Sequence, residues 1–238
     1  MLIKEKGIVL HTSPCSETSR LISIYMANHG KLSFYVKSLH SVKSALKPAL
    51  FQPLNIIECT YYYKQNRELH YIKEAHSIIG NIYNVSSIKK NTIALFISEL
   101  LYKTLKYGNP DDQLFLYIET QIKLLFEMNK GYSMYNLLFL SQYLSYLGIS
   151  PEKNYSSENL FFNIEKGCFV SEKSHNTATK ELSYLLYLLF HRNSLDTSLF
   201  NREKRYECLI ILIKYIKHQL PSVSVIHSLE ILNEVFNT

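Results

Sequence analysis

The sequence has no tryptophan, only seven glycines and four cysteines and, in its first 80 residues, no aspartate. Each scarcity removes a class of function. None of the glycines stands in a G-x-G or G-x-x-x-x-G-K arrangement, so no loop is built to cradle the phosphates of a nucleotide. Cys15, Cys59, Cys168 and Cys208 are scattered singly with no C-x-x-C pair; they suggest neither a zinc site nor a disulfide framework and read as reduced, mostly buried thiols. No G-x-S-x-G elbow or Cys-His signature occurs, so nucleophilic catalysis is not expected. Asp111-Asp112 reads as acid at the positive end of a helix dipole, not as a catalytic carboxylate pair. His70 and His76 lie six residues apart on one expected strand, which would put both rings on the same face, but a third ligand is missing. No metal and no cofactor is expected. The most apolar stretch, Leu182 to Phe190, is half the roughly 18 residues that a membrane span requires. The opening Met1-Leu2-Ile3-Lys4-Glu5-Lys6 interleaves acid and base where an export signal needs an apolar run. A soluble, cytoplasmic protein without membrane association is the expectation.

What the sequence does hold is a globular composition, 47% hydrophobic and 19% charged, sufficient to bury a core. Its 238 residues suit one large domain or two small ones. The net charge of +6 is unevenly placed: residues 1 to 80 carry ten Lys/Arg against five Glu, residues 81 to 238 sixteen against fifteen. Within the basic first third, Lys31, Lys37, Lys43 and Lys47 follow one another with no acidic residue between. An electrostatic footprint for phosphate has this form, and so has a solvated basic loop.

Two periodicities divide the chain. From Ile3 to His76, β-branched and aromatic runs alternate with turn signals, the pattern of a small all-β barrel or sandwich. The expected strands are Lys4 to His11, Arg20 to Tyr25, Lys31 to Ser38, Gln52 to Tyr63 and Leu69 to His76. Asn28-His29-Gly30 makes the tight turn between the second and third, and Leu39 to Ala49, ending at Pro48, is a long loop at one end. After Gly80 the period becomes 3.6. Ile93, Phe96, Ile97, Leu100, Leu101, Thr104 and Leu105 form one apolar stripe, started by Ser86 or Ser87. Asn109-Pro110-Asp111-Asp112 opens a second helix that ends before Gly131. A third runs from Ser133 to Leu147 and stops at Gly148. Two or three more follow, at Thr179 to His191, Glu203 to His218 and Val223 to Phe236, with Pro221 interrupting the last pair. Residues 150 to 176 lack helical period, and a short hairpin fits Phe161 to Val170.

Tyr61-Tyr62-Tyr63 beside Lys64 and Arg67 adds stacking faces to charge, the combination that small barrels use on single-stranded nucleic acid. Alternation sends Tyr61 and Tyr63 one way and Tyr62 the other, and at least one face serves the core.

These residues resemble a known family. Gly7-Ile8-Val9-Leu10, Glu17-Thr18-Ser19-Arg20-Leu21-Ile22, His29-Gly30-Lys31, Val36-Lys37 with Ser44, and Phe51-Gln52-Pro53 follow the order and spacing of the bacterial RecO family. That family opens with a G-[IV]-V-L strand, an E-x-[DS]-x-[LI]-[IL] strand, an H-G-[KR] hairpin, a basic stretch with a serine, and a Q-P before strand four. His218 and Ser228-Leu229 carry the likeness to the closing helix. The resemblance implies an α+β protein: an OB-fold DNA-binding β-barrel of five strands over residues 1 to 80, then an all-α helical domain over residues 81 to 238 with the excursion at about 150 to 176. It implies no enzyme, but a mediator of recombinational repair that binds single- and double-stranded DNA and anneals complementary strands. It would also help load recombinase onto strands coated by single-strand-binding protein, with RecR as a partner, in the cytoplasm at the nucleoid. Lys37, His40, Lys43 and Lys47 would line one end of the barrel, with Arg20, Lys31, Lys64 and Arg67 as further DNA-binding residues and Arg20, Lys64 and Arg67 nearby. A generic OB-fold binder of single-stranded nucleic acid, without mediator activity, is the alternative.

The sequence departs from the family twice. Many relatives carry a four-cysteine zinc module after an L-G-x-x-P element, seen here as Leu147-Gly148-Ile149-Ser150-Pro151, but only Cys168 stands in that region, and no zinc is expected. Lys37 is followed by Ser38-Leu39-His40-Ser41-Val42-Lys43 where relatives often have arginines. Lysine places charge without the flat bidentate grip of guanidinium, so contacts should fall on phosphate and ignore base sequence.

Overall fold

The computed structural model describes residues 1–37, 46–78, 87–191 and 195–237. Five strands, β1 (Leu2–Pro14), β2 (Arg20–Met26), β3 (Gly30–Val36), β4 (Ile56–Tyr62) and β5 (Leu69–Ser77), close into a barrel in the order β1-β2-β3-β5-β4, with β4 returning to β1. β3 and β5 pair in parallel, and the other four neighbouring strand pairs are antiparallel. Closure leaves no unpaired strand edge to be protected. Alternation explains the interior: β3 turns Leu32, Phe34 and Val36 inward and Lys31, Ser33 and Tyr35 outward. They meet Val9, Ile22, Ile24, Ile57, Cys59 and Tyr61 in the barrel core, each large side chain contributing about 1.5–3 kcal/mol by burial.

Each of the five expected strands is found, although the fourth begins at Ile56 rather than Gln52 and Ser38, the expected end of the third, lies outside the described residues; two bulges add what alternation alone does not give. In β1 the register jumps between Val9 and His11, so Leu10 and His11 both lie outside the barrel against α1, the Leu10 carbonyl accepting the Ser98 hydroxyl at 2.7 Å and His11 stacking on Tyr102. In β5 the partners pass from Ile72 to Glu74, leaving Lys73 as the extra residue. That bulge reverses the parity between His70 and His76: His70 is buried and His76 is exposed beside Glu58. The expectation that both histidines share a face is therefore corrected. Gly30 closes the β2–β3 hairpin opposite Met26 at φ +67°, and a Cβ there would lie 2.5 Å from the Asn109 backbone. Both the conformation and the close approach require glycine.

Among the described residues six α-helices follow: α1 (Ile88–Thr104), α2 (Asp112–Glu127), α3 (Tyr135–Tyr146), α4 (Lys180–Phe190), α5 (Arg202–Gln219) and α6 (Ser228–Asn237). Their starts shift slightly from expectation. Ser87 occupies the cap position of α1 without a side-chain hydrogen bond. The α2 cap is Asp111, whose carboxylate accepts the Leu114 N–H at 2.9 Å, so Asn109 and Pro110 lie outside the helix. The last helix begins at Ser228 rather than Val223. Among the described residues no helix is long and apolar enough to cross a membrane.

The chain forms two compact units. One unit comprises Met1–Asn129 with Ile226–Thr238, the other Lys130–Val225. In the first, the apolar stripe of α1 (Ile93, Phe96, Ile97, Leu100 and Leu101, all buried) packs on β1 and α6. Tyr25, on the outer side of β2, meets Phe115 of α2 and donates its hydroxyl to the Asp111 carbonyl at 3.3 Å. Thus α1, α2 and α6 complete the barrel's own unit. In the second unit α3, α4 and α5 pack together around the two-stranded hairpin of β6 (Phe161–Asn163) and β7 (Cys168–Val170).

Candidate nucleic-acid interface

The cations named from the sequence occupy two ends of the barrel. Arg20 pairs with Val36, which places Lys37 beside it where β1 ends and β4 begins. Arg20 is half-buried, and its guanidinium donates to the carbonyls of Ser16 and Ser19, both at 3.1 Å, pinning the β1–β2 turn. Lys37 is exposed, its ammonium 5.9 Å from the Tyr35 ring centre. Lys47, also exposed, precedes a 3-10 turn, Pro48–Phe51, that is tied to the end of β1 by the Thr12 hydroxyl donating to the Phe51 carbonyl at 3.0 Å. His40 and Lys43 lie outside the described residues.

Lys64 and Arg67 are exposed in the β4–β5 turn, at the opposite end. The register dictates it: β4 runs antiparallel to β1, so its last residue, Tyr62, pairs with Leu2, while Arg20 pairs with Pro14. The expectation that Lys64 and Arg67 stand near Arg20 is corrected accordingly. The Tyr107 hydroxyl donates to the Arg67 and Glu68 carbonyls at 3.1 and 2.8 Å and fixes this turn against the start of α2. Lys31 is differently engaged. Its ammonium donates to the Tyr102 carbonyl of α1 at 2.8 Å and lies 5.3 Å from the Tyr102 ring, and burial lowers its pKa. It ties β3 to α1.

The tyrosine triplet divides as alternation requires. Tyr61 is wholly buried, Tyr62 is exposed, and Tyr63 is half-buried and stacked on His70 with ring centres 5.3 Å apart. Tyr61 carries a polar cluster that composition and spacing did not reveal. The buried carboxylate of Glu5 accepts the Tyr61 hydroxyl, the Asn28 backbone N–H at 2.7 Å and His29 Nδ1 at 2.6 Å. Burial, then the bond to Glu5, pushes the Tyr61 phenol upward. The hairpin histidine thus fastens the β2–β3 turn to β1 and β4. A sequence signal existed: Glu5 occupies an inward-facing position between Lys4 and Lys6.

Comparison with known proteins agrees with this geometry. Residues 1–80 match the model of the recombination protein O N terminal domain, and residues 85–225 match that of the recombination protein O C terminal domain. The chain belongs to the RecO family. It is similar over the whole length of both chains to proteins named DNA repair protein RecO. The one from Phocaeicola vulgatus is 36% identical over 241 residues, that from Bacteroides fragilis 32% over 243, and that from Porphyromonas gingivalis 28% over 247. The five-stranded closed barrel is the OB-fold domain of the RecO family, followed by a helical region.

The four-cysteine zinc module that the family resemblance implies does not fit the residues present. Cys168 is the one cysteine of the excursion, and its thiol is pushed up, first by burial and then by Glu152, which disfavours the thiolate that zinc requires. Among the described residues no group of three or more His, Cys, Asp or Glu side chains could hold a metal ion. Side-chain amides and rings hold the hairpin. Asn154 accepts the Phe169 N–H at 2.8 Å and donates to its carbonyl at 2.9 Å, and Asn163 accepts the N–H groups of Glu165 and Lys166. Phe162, fully buried, contacts Phe169, Phe190 and Tyr215.

Proposed function

We propose that this RecO-family protein acts without making or breaking a covalent bond. It binds single- and double-stranded DNA through the basic end of its barrel and anneals complementary strands. It assists recombinase loading onto strands coated by single-strand-binding protein, with RecR as partner, in the cytoplasm at the nucleoid. The observation that carries this reading is the pairing of Arg20 with Val36, which sets Arg20 beside the exposed Lys37 at one end of the barrel, the end to which Thr12 also ties the turn that follows Lys47. Two phosphate backbones brought to this end would repel each other less, because lysine ammonium groups replace the counterions that each carries. Lys43 and His40, in the same basic stretch, would extend that surface. No base-specific donor is required, so strands of any sequence are served.

The test is annealing of two complementary fluorescent strands, each coated with single-strand-binding protein. The full chain should accelerate pairing, and the Lys37→Ala/Lys43→Ala/Lys47→Ala variant should lose most of that acceleration while remaining folded. Ordinary DNA binding with no acceleration would instead favour the generic OB-fold binder.

A further inference from the structure

Alternation fixes which side chains of the barrel point outward, and register fixes which of them meet. Leu21 on β2 stands opposite Tyr35 on β3, Tyr35 opposite Tyr71 on β5, Tyr71 opposite Tyr62 on β4, and Tyr62 opposite Leu2 on β1. Tyr62 is 54% exposed and Tyr71 44%; Leu2 and Leu21 are exposed too, and Tyr35 is half-buried. Tyr35, Tyr71 and Tyr62 therefore occupy neighbouring outward positions on three adjacent strands, with the rings of Tyr35 and Tyr71 edge-to-face and their centres 6.1 Å apart. Cross-strand pairing within a sheet accounts for the contact between Tyr35 and Tyr71. It does not account for the continuation of the row onto Tyr62, or for the cations around it. The Lys37 ammonium lies 5.9 Å from the Tyr35 ring. Lys64 and Arg67, against a single acid, Glu68, occupy the turn that joins the strand of Tyr62 to the strand of Tyr71.

Resting on the DNA-binding reading above, we infer that Tyr35, Tyr71 and Tyr62 form a stacking row for consecutive bases of single-stranded DNA, with Lys37, Lys64 and Arg67 serving its phosphates. Every base has a π face, so such a row tolerates any sequence. A duplex hides those faces, so the row prefers unpaired DNA, whereas lysines alone would accept either form. Adjacent strands lie about 4.8 Å apart, so the three rings span about 10 Å, room for the two or three bases that aromatic residues on other single-strand-binding sheets stack. The row also joins the two ends of the barrel: it begins beneath Lys37 and ends at the Lys64–Arg67 turn, giving the separated cations one continuous track.

The experiment uses the full chain and two fluorescent probes of equal length, an oligothymidine and an oligonucleotide of abasic sites, compared by anisotropy at one salt concentration. The oligothymidine should bind about tenfold or more tightly than the abasic strand, from the worth of base–aromatic stacking. The Tyr62→Ala/Tyr71→Ala variant should lose most of that preference, and Tyr62→Phe/Tyr71→Phe should keep it. Equal wild-type affinity for the two probes would overturn the stacking row and leave DNA binding standing. A preference that survives in the alanine variant, shown folded by circular dichroism, would overturn it as well. Failure of the wild type to bind either probe would remove the DNA reading itself, and the row with it.

Discussion

The carboxylate of Glu99, on α1, accepts the backbone N–H of Ser228, the first residue of α6, at 2.7 Å. It also accepts the His227 N–H at 3.0 Å and the Ser228 hydroxyl, and pairs with Lys103 at 2.6 Å. One side chain thus caps a helix that begins 129 residues later in the chain, and so holds α6 to the barrel's unit. Burial pushes this carboxyl up, but Lys103 and the Ser228 and His227 donors outweigh it and hold the pKa at about 2, against an ordinary 4.5. Glu99→Ala should destabilise the protein by about 2–3 kcal/mol, the worth of charge-assisted hydrogen bonds left unmade. Because the folded carboxyl is the stronger acid, its contribution is full above pH 4.5 and is lost as pH falls toward 2. Urea denaturation should therefore show the gap between wild type and variant narrowing across that interval.

His70 gives a pH dependence in a different window. Its ring is buried between Tyr63, Phe34 and Tyr61, and it approaches the Tyr62 backbone without reaching hydrogen-bond geometry. Burial, above all, lowers its pKa from 6.5. The unfolded chain takes up a proton near that value and the folded chain resists it, so stability is full above pH 6.5 and declines as pH falls below it. His70→Phe preserves the stacking on Tyr63 and removes the titration. Unfolding midpoints compared at pH of about 7.5 and 5.5 should differ less in the variant than in the wild type. An unchanged difference would show that His70 is not the group responsible.

How far the sequence discloses this molecule depends on whether a feature is periodic. Alternation and the 3.6-residue period locate all five barrel strands and the helices, because each element buries one face and writes that burial into its spacing. Bulges break that logic: the extra residue at Lys73 sends His76 outward, and nothing in Leu69 to His76 announces it. The Glu5–His29–Tyr61 cluster joins three strands, so no local window contains it. The candidate site is legible in sequence as a basic stretch but not as two ends of a barrel. Lys31 looked like its companions Lys37 and Lys47 in sequence, and only the position of Tyr102 separates them.

Two glycines with similar backbones separate conformation from contact. Gly30 and Gly108 have φ values of +67° and +63°; a Cβ at Gly30 would strike the Asn109 backbone at 2.5 Å, whereas one at Gly108 would meet nothing within 4 Å. Gly108→Ala should cost about 1 kcal/mol, the strain of a left-handed alanine alone. Gly30→Ala should cost clearly more, because backbone cannot rotate aside as a flexible side chain would. Thermal melts of the two variants test this, and equal losses would mean that the loop between α1 and α2 moves to accommodate the added methyl group.

The division of the lysines predicts opposite behaviour from substitutions of the same type. Lys37 and Lys47 are exposed at the basic end, whereas Lys31 is fastened to α1 through the Tyr102 carbonyl. If Lys37 and Lys47 each neutralise a phosphate, the slope of log affinity against log salt should fall in magnitude by about 0.7 to 0.9 for each lysine removed. Lys37→Ala/Lys47→Ala should therefore weaken binding at low salt and converge on the wild type at high salt. Lys31→Ala removes a half-buried hydrogen bond and a cation–π contact, so it should lower stability by about 1–2 kcal/mol. Its salt slope should equal that of the wild type. A reduced slope in Lys31→Ala would place its ammonium on the DNA in the complex, which would require it to leave Tyr102 on binding and would make the β3–α1 contact part of the binding reaction.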